Sequence, residues 1–64
     1  MAKTNVRVQL VGLDGNAFAV MGRVSAALGK EGHQDLVKEY QYRGFGADSY
    51  DELLQITMEY VEVY

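Results

Sequence analysis

The sequence predicts an α+β fold: one small domain of order β-α-α-α-β, whose two terminal strands form a two-stranded sheet packed on helices. Three observations carry that expectation. Residues 5–10 alternate between polar and apolar, the period of a half-buried strand. From Ala17 onward the apolar residues recur every three to four positions, the period of a core-facing helix. The last residues, Glu59 to Tyr64, return to alternation. A two-stranded sheet is marginal alone, and helices on one face are what would support it.

The first strand is expected over Lys3 to Gly12, with Val6, Val8 and Leu10 on one face and Asn5, Arg7 and Gln9 on the other. Val11 breaks the alternation, as expected if both faces are covered near the strand's end. Gly12, Asp14, Gly15 and Asn16 then supply turn chemistry: glycine accepts positive φ, and Asp or Asn bonds nearby N–H groups. Asp14 or Asn16 is the expected cap of the first helix. Its stripe is Ala17, Val20, Met21, Val24, Ala27 and Leu28, with Phe18 covering the edge. Gly22, in mid-helix, is expected to mark a close approach by another backbone. Gly29 and Gly32 offer stop signals, and Lys30 suits a helix C-terminus.

A shorter second helix is expected over His33 to Arg43, with Leu36, Val37 and Tyr40 inward. The run Gly44-Phe45-Gly46 ends it, and Phe45 has two placements open to it: folded back over the core or exposed. Ser49-Tyr50-Asp51-Glu52 is a capping box, with Ser at the cap and Glu three residues on. The third helix therefore runs to about Met58, although Leu54, Ile56, Met58 and Tyr60 also alternate as a strand would. In the closing strand, Val61 and Val63 point inward and Tyr60, Glu62 and Tyr64 outward. Counting reversals gives parallel strands if the three helices are antiparallel neighbours. Antiparallel pairs are the commoner kind, and a short middle helix lying across the others favours them, so both orientations stay open with a lean to antiparallel.

Size and composition narrow the function. A chain of 64 residues buries only roughly 60% of its unfolded surface, so the core is small. It has no Cys and one His, which leaves packing or self-association to stabilise it. The basic residues near the start flank alternation rather than an unbroken apolar run, which gives no signal-peptide pattern and a cytoplasmic expectation. No apolar run is long enough to span a bilayer, so a membrane is not expected as a partner. Net charge is −3 and uneven. Lys3, Arg7, Arg23 and Lys30 outnumber Asp14 and Glu31 in the first half, whereas the second half is strongly acidic. The acidic second half argues against nucleic-acid binding as a broad function, and its one candidate patch is Lys3, Arg7 and Arg23.

The run Gly12-x-Asp14-Gly15-Asn16-Ala17-Phe18, then Gly22 and Ala27-Leu28, resembles a group of small proteins from bacteria and their phages and plasmids. Tyr50-x-x-Leu53-Leu54-x-x-x-Met58 and Val61-x-Val63 fit the same pattern, and His33 to Ala47 fits least. The group has no assigned activity. The resemblance implies a compact fold and a bacterial or mobile-element setting, and brings no catalytic residues.

No chemistry is demanded by any cluster. Asp14-Gly15-Asn16 at a helix start could hold an anion, but Asp14 would repel a phosphate, and neither the P-loop pattern nor a calcium loop is present. Capping explains it better. His33 has no nucleophile beside it, because Ser25 and Ser49 read as a helix flank and a cap. Asp48, Asp51 and Glu52 suit the start of a helix better than a metal site. No cofactor, metal or enzymatic activity is expected. The tyrosines stand out: all five lie in the second half, with Phe45 among them. Tyr42, Phe45, Tyr60, Glu62 and Tyr64 are the candidate interface, since exposed aromatic clusters mark binding surfaces. The expected function is a non-enzymatic protein-interaction module, with a strand edge open to a partner or to a second copy in a homodimer.

Overall fold

The computed structural model describes residues 2–10 and 16–64. The order is β1 (Arg7–Val8), α1 (Ala17–Lys30), α2 (Gln34–Phe45), α3 (Tyr50–Tyr60) and β2 (Glu62–Val63). The turn residues Val11 to Gly15, with the capping alternative Asp14, lie outside the described residues.

Local chemistry explains where the helices start. The Asn16 side chain accepts from the Phe18 and Ala19 amides and begins α1. At the other end the amides of Glu31, Gly32 and His33 bond the carbonyls of Ala27, Gly29 and Leu28. Gly32 has φ +85°, a left-handed conformation that L side chains rarely adopt, and it turns the chain into α2. Ser49 Oγ accepts from the Glu52 amide at 3.0 Å, while the Glu52 carboxylate reaches back to the Asp48 amide. The capping box is thus made, with its return bond one residue upstream of the cap.

The two strands pair in parallel, with Arg7 opposite Glu62 and Val8 opposite Val63. This corrects the lean to antiparallel. α1 packs on α2 and α2 on α3, and α3 also meets α1, so the three helices form a bundle. Pairing extends past the two-residue strands. The Leu10 amide bonds the Tyr64 carbonyl, and the amides of Lys3 and Thr4 bond the carbonyls of Glu59 and Tyr60 at the end of α3. The expected strand from Lys3 is therefore shorter, because its first residues dock on a helix end.

The core is Val8, Val20, Met21, Val24, Leu28, Tyr40, Leu53, Ile56, Tyr60 and Val61. Ala17, placed on the stripe by spacing, is exposed because it lies at the helix start. Gly22 is exposed too, and a Cβ there would meet nothing within 4 Å, so no backbone approaches it. The close approach is at Gly44, expected to end α2 but lying within it. A Cβ there would stand 2.7 Å from Met21 Cε and 3.2 Å from Leu53 Cδ1.

Candidate functional site

The candidate interface residues separate into three places. Tyr42 and Phe45 lie on α2, 84% and 68% exposed. They are three positions apart and so neighbours on one helix face. Phe18, at the start of α1, is 74% exposed and its ring centroid lies 6.4 Å from that of Phe45. Of the two placements open to Phe45, exposure is the one adopted. Phe18 does not cover the edge of the core as expected. Its spacing alone could not reveal that its neighbour is Phe45, because the contact joins two helices.

Glu62 and Tyr64 lie on the outer face of the sheet. The Arg7 guanidinium sits 4.7 Å from the centroid of the half-exposed Tyr64 ring.

Tyr60 is the correction. Expected to point outward from a strand, it is the last residue of α3 and fully buried. The helix runs two residues past Met58, which turns position 60 by helical rather than strand spacing onto the face shared with Leu53, Ile56 and Thr57. Its ring packs edge-on against Tyr40 with centroids 5.5 Å apart. Its hydroxyl donates to the Glu39 carboxylate and accepts from Arg43 Nη1 at 3.3 Å. Burial first, then this bond to Glu39, pushes the Tyr60 hydroxyl above its ordinary pKa. Tyr60 therefore holds the bundle together and offers no surface to a partner.

The charged residues around Tyr60 form a chain of contacts. Lys3 Nζ donates to Glu39 at 3.1 Å, and Arg43 grips Glu59 through both terminal nitrogens at 2.7 and 3.1 Å. The bonds from Tyr60 and then Lys3 hold the Glu39 carboxyl below its usual value, and the bond from Arg43 does the same for Glu59. Lys3 is raised by its bond to Glu39.

The expected basic patch is divided. Lys3 and Arg7 line one open cleft of about 690 Å³ together with Asn5, Lys30, Glu31 and His33. Arg23 is exposed in the middle of α1 and is not part of its lining. Lys30 and His33 join the cleft because the α1 C-terminus lies beside β1. Sequence spacing could not show this, since it depends on how the helix packs. His33 begins α2 as its cap residue, with no side-chain capping bond.

A second hollow of about 250 Å³ is lined by Leu10, Tyr50, Leu54, Met58 and Val63. Tyr50, Leu54 and Met58 recur every four residues, a signal visible in the sequence as a second apolar face of α3. Among Asp48, Asp51 and Glu52, the Glu52 carboxylate is used by the cap, and Asp51 accepts from Gln55 at 3.2 Å. Among the described residues no group of three or more metal-ligating side chains comes together. No helix of the described residues is long and apolar enough to cross a membrane.

Comparison with protein-family models, curated proteins and solved structures gives no match.

Proposed function

We propose that this chain is a small non-enzymatic protein-interaction module whose contact face is Phe18, Phe45 and Tyr42. The observation that carries the reading is the Phe18–Phe45 pair, two rings tilted against one another in water rather than in the core. Phenylalanine has no polar tip to gain from solvent, and burying each ring against a partner is worth about 1.5–3 kcal/mol. Tyr42 beside them adds an amphipathic ring of the kind enriched at interfaces. Tyr64 and Glu62 form a separate surface on the sheet. The cytoplasmic address and the bacterial or mobile-element setting implied by the motif resemblance belong to this same reading.

Nucleic-acid binding is the second reading. Its support is that Lys3 and Arg7 line one cleft with Lys30; against it, Arg23 lies apart and Lys3 is paired with Glu39.

Both are tested by affinity capture from lysate of the source cell, with wild type and F18S/F45S and with and without nuclease. The double variant should keep its melting temperature, because both side chains are exposed. It should lose partners that survive nuclease. Equal capture by both proteins would remove the aromatic face from the function, and partners lost only with nuclease would promote the second reading.

A further inference from the structure

β1 pairs with β2 along one edge, and among the described residues no strand pairs with its other edge. The carbonyls of Val6 and Val8 and the amide of Leu10 bond β2. Backbone groups alternate in direction along a strand, so those of Asn5 and Arg7 point away from β2. Among the described residues neither has a backbone hydrogen-bond partner. Asn5 and Arg7 form one wall of the 690 Å³ cleft, and the end of α1 forms the other, with Lys30, Glu31 and His33. Near the end of α1 the carbonyls of Ala27, Leu28 and Gly29 are occupied by the amides of Glu31, His33 and Gly32, so these three do not compete for an incoming donor.

We propose that this edge accepts an extended acidic segment of a partner protein as a third strand. The inference rests on the interaction-module reading and adds to it a second surface and the chemistry of its partner. An edge that presents N–H and C=O groups together calls for a ligand with both at strand spacing. A peptide backbone supplies them, whereas a phosphate backbone supplies acceptors alone. The charge is complementary: Lys3, Arg7 and Lys30 face the cleft against the single carboxylate Glu31. Lys3 is paired with Glu39; Arg7 rests on the Tyr64 ring, a contact that leaves its charge unneutralised, so Arg7 and Lys30 are the cations that select the ligand. The paired edge already shows the preferred pattern. There β2 sets Glu62 opposite Arg7 on the outer face and Val63 opposite Val8 on the inner face. An incoming segment that alternates acidic and small apolar residues would repeat this arrangement on the other side. The register from Asn5 to Arg7 admits about three residues, roughly 10 Å of strand, so the interaction is short and weak.

The test is an NMR titration of the purified, isotope-labelled protein with a capped peptide Ser-Glu-Val-Glu-Val-Ser and its counterpart Ser-Lys-Val-Lys-Val-Ser. With the acidic peptide, the Asn5 and Arg7 amides should shift and their solvent exchange should slow about fivefold or more. The lysine peptide should bind about tenfold more weakly, and Lys30→Glu should cost the acidic peptide a similar factor. Arg7→Glu should do the same, and Lys30→Glu keeps the test open if the change opposite Glu62 disturbs the sheet. Equal binding of the two peptides overturns the proposal, as do shifts confined to the Phe18 and Phe45 face. It is also overturned if a thymidine dodecanucleotide shifts the Asn5 and Arg7 amides more strongly than the acidic peptide. Protection of the Arg7 amide that grows with protein concentration and no peptide would assign the edge to a second copy instead. Because the peptide is added directly, failure here leaves the aromatic face standing, and unchanged capture by F18S/F45S leaves this result standing.

Discussion

Tyr40 and Thr57 show how one hydrogen bond fixes the centre of a core this small. Both are fully buried and their oxygens lie 2.7 Å apart. Thr57 Oγ1 also bonds the Leu53 carbonyl at 2.8 Å, and that bond takes its only proton. Tyr40 is therefore the donor to Thr57, and burial raises its hydroxyl above the ordinary pKa. Thr57→Val keeps the shape and removes the acceptor, leaving a buried O–H without a partner. The expected loss is about 1–3 kcal/mol of stability. Adding Tyr40→Phe removes the stranded donor, so the double variant should be more stable than Thr57→Val alone. Urea denaturation of the four proteins gives the coupling, and strict additivity would mean the bond contributes nothing.

At the scale of elements, glycine separates what spacing reveals from what packing decides. Gly22 and Gly44 both lie in helices, and only one has a neighbour. Gly22→Ala should gain about 1 kcal/mol, since alanine is the better helix former and its methyl group enters open space. Gly44→Ala gains the same propensity but drives a methyl group into Met21 and Leu53, where overpacking costs about 1–3 kcal/mol. The two variants should shift the urea midpoint in opposite directions with unchanged slope. A stabilised Gly44→Ala would show that Met21 moves aside at no cost. The three helices, the cap at Ser49, Asn16 as one of two candidate caps, and the terminal strands were legible because each is written in local periodicity and capping chemistry. The orientation of the strands was not, because it depends on helices packing against one another. Tyr60 was misread for a related reason: its stretch satisfies both periods, and only burial against Tyr40 decides between them. The same limit hid the Phe18–Phe45 pair and the place of Lys30 in the cleft, both of which arise from contacts between elements.

For the molecule as a whole, the charged chain around Tyr60 ties the N-terminal segment and the end of α3 to α2. Lys3 precedes β1, Glu39 and Arg43 belong to α2, and Glu59 belongs to α3. Parallel pairing of strands so far apart in sequence closes a loop of nearly the whole chain, which is costly in entropy, and these contacts hold the N-terminal segment beside α3. Their dependence on pH follows from the direction of each shift. Glu39 and Glu59 are lowered from an ordinary 4.5, so their stabilisation is complete above that value and is lost as pH falls through the lowered folded values. Lys3 and Tyr60 are raised, so theirs is complete below their ordinary values of 10.5 and 10.0 and is lost only as pH rises further. Stability should therefore be level through neutral pH and fall on the acid side. Glu39→Gln removes one of the acid-side contributions. The gap in denaturation midpoint between wild type and this variant should be widest near neutral pH and close as pH falls below 4.5. Added salt should narrow it, because the Lys3–Glu39 pair is partly exposed. A gap that stays constant down to strong acid would mean that Glu39 acts through packing alone, and the N-terminal segment would then be held by the backbone bonds of Lys3 and Thr4 to the end of α3.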